Sequence, residues 1–216
     1  DADAAAARRP PRRMTDPAAE ARERAAILDC VTRWPFYRDG HQWEKLRDLY
    51  TVDGRMTTTW TIASADEFVA HCRRMAEKGG GRRSMHALGA TMVDINGERA
   101  IAVSRMTLLV RGLVDGVEVD VTNTGGTYDF FQRCADGRWR IRERAPMYEK
   151  DRIDPVDPAA VLHLDPARLA QYPPGYRHLA YLQAGEGATI TPDLPGNGNE
   201  SQRRLYARGA EWLAGR

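Results

Sequence analysis

The first regular pattern along the chain is an amphipathic helix that begins near residue 17. Apolar residues recur there at the spacing of one helical face. They are Ala21, Ala25, Leu28 and Val31, with Ile27 and Trp34 widening the stripe. Asp16 suits the N-cap and Pro17 the first turn, where a missing amide proton costs nothing. We expect Pro35 to kink or interrupt this helix and Gly40 to end it.

Two further helices and a short strand are predicted before the period of the pattern changes. A short helix is expected over 42–50, where the apolar side chains share one side, and a threonine-rich strand over 55–61. Ser64 and Glu67 form a capping box, in which the two residues satisfy each other's unpaired backbone amides. The helix that this box opens should run to about Lys78, and three glycines at 79–81 mark its end.

The second half of the domain alternates with period two, which predicts β-strands. Four long strands are expected, over 83–95, 98–112, 117–134 and 138–148. The dipeptides between them are Asn96-Gly97, Asp115-Gly116 and Asp136-Gly137. Asn-Gly and Asp-Gly between extended segments are strong hairpin signals, so the strands should form an antiparallel meander. The element order predicts an α+β fold in which the N-terminal helices cover a curved antiparallel sheet and leave a pocket beneath them.

Proline becomes frequent after Lys150, and the chain there predicts only short helices, over 158–171, 175–184 and 199–213. Such a segment has too few apolar residues for a core of its own, so it should wrap the domain or a neighbouring subunit. We therefore predict three parts. Residues 1–16 are an arm, either disordered or foreign to the natural chain, 17–150 are the α+β domain, and 151–216 are a helical C-terminal extension.

Composition excludes several functions. The net charge is +2, from 32 basic and 30 acidic residues, which gives no reason to expect nucleic acid or a membrane surface as partner. The three cysteines, Cys30, Cys72 and Cys134, are widely spaced with no CxxC motif, which argues against disulfides or zinc and fits a cytoplasmic location. No apolar run is long enough to span a membrane. No nucleotide, flavin or metal motif is present, so we expect no cofactor and no metal.

The candidate chemistry rests on Asp39 and His86. His86 shares strand parity with Leu88, Ala90 and Met92, which predicts a covered, apolar face. Asp39 lies where the first helix ends, so the two can meet only if that helix closes over the sheet. In such a pair the carboxylate fixes the tautomer of the imidazole, which can then act as a base. Taken alone, His86 could equally be a structural histidine bonded to a backbone carbonyl, and Asp39 a solvated surface acid.

Several short motifs in a fixed order resemble the SnoaL-like branch of the nuclear transport factor 2-like fold, over about residues 17–150. The motifs are Asp39 to Tyr50 with Trp43, Leu46 and Leu49, then Asp53-Gly54, His86, Val93 to Ala100, Tyr128 to Phe131, Asp136 to Ile141, and Arg144. The resemblance implies a curved sheet with helices on one face. Dehydratases and a dehydrochlorinase of this branch use an aspartate and a histidine at the positions of Asp39 and His86, so the resemblance implies a catalytic dyad here.

The chain departs from those enzymes at positions that bind substrate. The family places a tyrosine near the aspartate or on the first strand, where this chain has Trp34 or Arg38, and Thr58. It often carries an asparagine four residues after the histidine, where this chain has Ala90. A polar pair on the third strand of the meander is replaced in part. The residues there are Gly125 and Thr127.

We expect a cofactor-independent lyase or isomerase that acts on a hydrophobic cyclic molecule, with Asp39 orienting His86 and His86 abstracting a proton. The expected substrate-binding residues are Trp34, Thr58, Trp60 and Thr127 in the wall and Arg144 as an anion stabiliser. A polyketide-type cyclase, a non-catalytic small-molecule or protein binding module, and a structural subunit remain as alternatives. Because the sheet of this fold commonly forms interfaces, we also expect a homo-oligomer, a trimer or a dimer.

Overall fold

The computed structural model describes residues 16–78 and 83–216, so residues 1–15 of the predicted arm and the glycines at 79–81 lie outside the described residues. The helices are α1 (Pro17–Asp39), α2 (Trp43–Asp48), α3 (Ala65–Glu77), α4 (Pro166–Leu169), α5 (Arg177–Gly185) and α6 (Glu200–Leu213). The strands are β1 (Tyr50–Thr57), β2 (Ile62–Ser64), β3 (Arg83–Asn96), β4 (Arg99–Val114), β5 (Val117–Arg133) and β6 (Trp139–Pro155).

These strands form one six-stranded sheet in the order β2-β1-β6-β5-β4-β3. The meander β3 to β6 is antiparallel, as the sequence predicts, and β1 joins its edge by pairing parallel to β6. Gly97, Gly116 and Gly137 adopt positive φ angles of 61°, 84° and 79° in the connecting turns, a conformation that glycine reaches without steric cost. The α+β prediction is confirmed.

Helices cover both faces of the sheet. On the inner face, Ala100, Ala102 and Phe131 pack with the buried residues of α1, α2 and α3. On the outer face, the buried residues of the sheet pack with Leu205 and Trp212 of α6. They are Ile101, Tyr128, Phe130, Ala145 and Met147. The outer face is therefore covered in part by the chain's own C-terminal helix, and the homo-oligomer stays a prediction.

Two local predictions in the N-terminal half differ from the structure. Pro35 is buried inside α1, which continues through it to Asp39, so the predicted interruption is wrong and the kink stays a prediction. Although proline removes one helical hydrogen bond, the final turn also carries Trp34 and Asp39, and their contacts with the sheet outweigh that loss. Tyr50 begins β1 instead of ending the second helix, which spans only Trp43–Asp48.

A bulge in β3 overturns part of the predicted strand parity. The pairing with β4 shifts between Leu88 and Thr91, so the residues beyond the bulge face opposite to their predicted direction. Met92 is 71% exposed, whereas Val93 is buried in the inner core. His86 and Leu88 precede the bulge and keep the covered orientation, while Ala90 is exposed.

The chain after β6, residues 156–216, is the segment that we call the C-terminal extension. β6 itself continues past residue 150 to Pro155, and only Pro166–Leu169 of the helix predicted over 158–171 is helical. Asp165 caps that short helix by accepting from the amides of Ala167 and Arg168. A residue before proline is biased away from helix, which favours a helix that starts here over one that runs through. The division of the chain at residue 150 stays a prediction.

The C-terminal extension shares its core with the sheet. Tyr176, Leu179 and Leu182 pack in one cluster with Val110 and Val121. Val110 has the same strand parity as Ala102 on β4, so α5 lies on the inner face beside the N-terminal helices. The space between α1 and α5 over that face is where the cavity lies.

Candidate functional site

Asp39 and His86 meet as a hydrogen-bonded pair. Asp39 is the last residue of α1, and its Oδ1 lies 2.7 Å from Nδ1 of His86 near the start of β3. The backbone N–H of His86 also donates to Oδ2 of the same carboxylate, over 2.7 Å. The two side chains are 20% and 14% exposed. The structure thus brings together the two residues that the sequence predicts to be catalytic.

The double contact sets the orientation and tautomer of the imidazole. Asp39 accepts from the backbone amide, so Nδ1 of His86 is held against the second carboxylate oxygen and carries its proton there. Nε2 remains as the ring nitrogen that can accept a proton. Trp34 packs edge-on against the imidazole, with ring centroids 5.3 Å apart and planes 87° apart. The ring is therefore fixed from two sides.

A cavity opens beside His86 on the inner face. Its volume is about 80 Å³. Its walls include His86 and all the residues that the sequence predicts to bind substrate. These are Trp34, Thr58, Trp60, Thr127 and Arg144. Asp39 is not among the lining residues and lies behind the imidazole. Most of the lining surface is apolar and includes Met56, Phe68, Met106, Leu108 and Pro146, while Arg38 adds a charged group.

Arg144 brings a buried positive charge to this cavity. Its Nε and Nη2 each donate over 2.7 Å to the two carboxylate oxygens of Asp129, and both side chains are 0% exposed. Burial alone would lower the pKa of Arg144, but the charge and the hydrogen bonds of Asp129 more than offset it and the pKa lies above its ordinary value. Nη1 is buried with no hydrogen-bond partner among the residues that the structure describes.

Trp34 links the charged group to the base. The guanidinium carbon of Arg144 lies 4.4 Å from the Trp34 ring centroid, a cation–π distance. The indole Nε1 donates over 2.7 Å to the hydroxyl of Tyr50. Because Tyr50 is buried, its pKa is raised above the ordinary value, so the phenol stays neutral and keeps accepting this bond. One indole thus contacts His86 and Arg144 and is itself held in place by Tyr50.

Five further polar residues in the cavity wall were missed by sequence reasoning. They are Thr59, Ser84, Asn123, Tyr148 and Gln183. Asn123 shares odd-numbered parity with Thr127 on β5, and that signal could have found it. Tyr148 supplies a phenol to a cavity whose family tyrosine positions hold other residues, and burial raises its pKa above the ordinary value. Gln183 comes from α5, and no sequence pattern placed α5 over the sheet.

A second His–Asp pair has the same kind of hydrogen bonds but lies outside the cavity. Nδ1 of His178 lies 2.8 Å from Oδ1 of Asp151, whose Oδ2 accepts from the amides of His178 and Leu179. This carboxylate serves the first turn of α5, where unpaired amides attract an anion. His178 is not among the residues that line the cavity. What distinguishes His86 is the cavity in front of it.

The described residues were also compared with the requirements of a metal site and of a membrane-spanning helix. Over 16–78 and 83–216, no group of three or more histidine, cysteine, aspartate or glutamate residues is placed to hold a metal ion. Within the same ranges, no helix has the length and hydropathy needed to cross a membrane.

The sequence of this chain is similar to a known domain family and to several fungal proteins. The model of the SnoaL-like domain matches residues 19–145. Pea pathogenicity protein 2 of Fusarium vanettenii is 32% identical over 214 residues, covering 94% of this chain and 91% of that protein. A PEP2-like protein of the same fungus is 32% identical over 204 residues, covering 89% of this chain and 86% of that protein. Both alignments must reach into the C-terminal extension to cover so much of the chain.

Among solved structures, a candidate scytalone dehydratase from Novosphingobium aromaticivorans superposes with a TM-score of 0.53 at 16% identity. The superposition covers 68% of this chain and 99% of that chain. At such low identity the likeness concerns the fold.

Proposed function

The chain belongs to the SnoaL-like domain family, and from that premise we propose that it is a lyase or isomerase in which His86 abstracts a proton from a hydrophobic cyclic substrate. Asp39 holds the imidazole in the tautomer that leaves Nε2 as the base. The observation that carries this proposal is the Asp39–His86 contact of 2.7 Å in the wall of an apolar cavity.

The proposed reaction begins at a carbon next to a carbonyl group. Nε2 of His86 takes a proton from that carbon, and the electron pair of the broken C–H bond moves toward the carbonyl oxygen as an enolate. In an elimination, the enolate reforms its carbonyl, a double bond forms, and a leaving hydroxyl departs with the proton from the imidazolium as water. In an isomerisation the imidazolium returns the proton to another carbon of the same molecule. General base catalysis of this kind contributes about 10²- to 10⁴-fold.

Arg144 is the group we assign to the developing negative charge. Its Nη1 is a buried donor with no hydrogen-bond partner among the described residues, and leaving such a donor unpaired is costly. A carbonyl oxygen that becomes an enolate would satisfy it, and would be bound more tightly as its charge grows. Asp129 fixes the guanidinium in advance, so no reorganisation is needed during the reaction.

The size of the cavity favours a small substrate. A cavity of about 80 Å³ favours a compact cyclic molecule over the longer chain that a polyketide-type cyclase would fold. Trp34, Met56, Trp60 and Phe68 in the wall favour an apolar ring system, because burying apolar surface contributes roughly 25 cal/mol per Å².

Proton exchange in deuterated buffer tests the base directly. The probe is 2-indanone, a two-ring ketone whose protons next to the carbonyl exchange through an enolate, and NMR follows the loss of their signal. We expect the protein to accelerate exchange and His86→Gln to lower that acceleration by about 10²- to 10⁴-fold. The matched control is His178→Gln, which alters the other His–Asp pair and should leave the exchange rate unchanged.

Two results would overturn the proposal. One is wild-type protein that binds 2-indanone, seen as a change in tryptophan fluorescence, without accelerating exchange; this would favour the non-catalytic binding module. The other is an equal loss of exchange in His86→Gln and His178→Gln when both variants are folded, because the effect would then not come from the base in the cavity.

A further inference from the structure

Gln183 of the C-terminal extension, Thr59 and Asn123 form a second polar cluster in the cavity wall, apart from the base. On the sheet, His86 pairs with Leu108 of β4, and Leu108 pairs with Asn123 of β5. Residues paired in this way point to the same face. Neighbouring strands lie about 4.8 Å apart, so His86 and Asn123 emerge about 10 Å from each other on the inner face. Both line the cavity, as does Leu108 between them.

The C-terminal extension positions this second cluster. The side-chain amide of Asn123 donates over 2.9 Å to the carbonyl of Gly175. The hydroxyl of Thr59 donates over 2.5 Å to Oε1 of Gln183 on α5, and the carbonyl of Thr59 accepts from the amide of Thr191 over 2.8 Å. The loop that carries Thr58 and Trp60 into the cavity wall is thus tied to the extension by both side chain and backbone.

These bonds determine what the cluster can offer to a ligand. The carboxamide oxygen of Gln183 accepts a hydrogen bond from Thr59, so its NH₂ group is the part that can donate to a ligand. The NH₂ group of Asn123 donates a hydrogen bond to Gly175, so its carboxamide oxygen is the part that can accept from a ligand. Gln183 and Asn123 are only 1% and 3% exposed, and both line the cavity. One donor and one acceptor in the wall of the same cavity match a hydroxyl group, which accepts and donates at once.

We propose that Gln183 and Asn123 bind a hydroxyl group of the substrate, at the end of the molecule away from the carbon that His86 deprotonates. The orientation of the substrate rests on the proposed function, whereas the binding of a hydroxyl does not. Gln183 is then a specificity-determining residue that the C-terminal extension supplies. Its amide rejects a ring with no polar group at that end, because the buried donor would lose water without gaining a partner.

A pair of ligands separates this role from a merely structural one. The probes are 2-indanone and 5-hydroxy-2-indanone, which differ only in a hydroxyl on the ring remote from the ketone. Binding is followed by the fluorescence of the protein, since Trp34 and Trp60 lie in the wall. We expect wild type to bind the hydroxylated ketone about tenfold more tightly, the effect of one buried hydrogen bond that is otherwise unsatisfied.

Gln183→Met keeps the length of the side chain and removes its amide. We expect this variant to bind both ketones with equal affinity, because its affinity for 5-hydroxy-2-indanone should fall about tenfold while its affinity for 2-indanone stays the same. Gln183→Leu also lacks the amide, and it should abolish the preference in the same way if the methionine variant does not fold. The matched control is Gln132→Met, the same change at an exposed residue of β5, which should keep the preference.

The outcomes for this inference and for the proposed function are separate. Wild type that binds both ketones equally, or a folded Gln183 variant that keeps the preference, overturns the hydroxyl site even if proton exchange is catalysed. A preference that disappears in the Gln183 variants supports the hydroxyl site even if wild type exchanges no protons, in which case only the proposed function fails. A structural role of Gln183 would weaken the binding of both ketones by the same factor, which also overturns the inference.

Discussion

Arg144 and Asp129 form an ion pair with both side chains entirely buried and two hydrogen bonds of 2.7 Å between them. Taking two charges out of water is costly, and their attraction compensates only when the geometry is good. Replacing such a pair by apolar residues is often neutral for stability. Arg144 lines the cavity, and its third nitrogen, Nη1, is buried without a partner among the described residues, which is why we assign the pair to ligand binding.

Replacing one partner of this pair should destabilise the protein far more than replacing both. We expect Arg144→Met to lower the free energy of unfolding by about 3–5 kcal/mol, because Asp129 is left as an uncompensated buried charge. The double variant with Asp129→Leu should recover most of that loss, yet it should not recover proton exchange on 2-indanone. Urea unfolding measures the first effect and NMR exchange the second. A double variant with full exchange activity would exclude Arg144 as the anion stabiliser.

Asp39→Asn tests the tautomer of His86. The asparagine oxygen can still accept from the backbone amide of His86, but its NH₂ group would then face Nδ1 and force that nitrogen to accept. The ring proton would move to Nε2, and the base would be lost. We expect the exchange rate to fall by about 10²- to 10⁴-fold with little change in fold. Asp151→Asn, the same change in the other pair, is the control. Retention of activity within about threefold in Asp39→Asn would contradict the role of Asp39.

Gly209→Ala tests whether α6 is docked on the outer face of the sheet. A methyl group at Gly209 would lie 1.8 Å from the hydroxyl oxygen of Tyr128, so the helix must shift. We expect a loss of about 1–3 kcal/mol in unfolding free energy, although alanine favours an isolated helix by about 1 kcal/mol. Adding Tyr128→Leu should restore part of that loss. If Gly209→Ala is more stable than wild type, the helix does not pack on Tyr128.

His71 should make stability depend on pH. The ring centroids of His71 and Trp60 lie 4.6 Å apart. The pKa of His71 is lowered by partial burial and by the charges of Arg74 and Lys78. Below about pH 6.5, the ordinary value, the unfolded chain binds a proton that the folded chain resists. Stability contributed by this residue is therefore complete above that value and is lost as the pH falls toward the lower folded value.

The comparison of wild type with His71→Gln isolates this contribution. The unfolding midpoint is measured from pH 7.5 down to pH 5, where the other histidines contribute to both proteins alike. We expect the midpoint of the variant to fall less steeply over this range. An equal or steeper fall in the variant would show that burial does not disfavour the charged form of His71.

Much of the fold follows from local sequence signals. The turns at Gly97, Gly116 and Gly137 require positive φ angles, and the residues that achieve them lie next to each other in the chain, so the meander was predictable. The capping box of Ser64 and Glu67 is present as predicted, because it too depends on neighbouring residues.

Local signals failed where distant contacts compete with them. Pro35 did not interrupt α1, because the final turn of the helix is held by residues of the sheet. The bulge in β3 reversed the direction of Met92, because a bulge depends on how two strands pair and no single strand shows it.

The sequence by itself determined the element order, the meander and the residue types that could carry chemistry, including Asp39, His86 and Arg144. Only the tertiary structure decided that Asp39 contacts His86, that Trp34 joins His86 to Arg144, and that Gln183 of the C-terminal extension completes the cavity. Hydrogen bonds and turns between neighbours are fixed by local chemistry. Contacts such as Thr59 with Gln183 join residues far apart in the chain, and they exist only because the whole core packs around them.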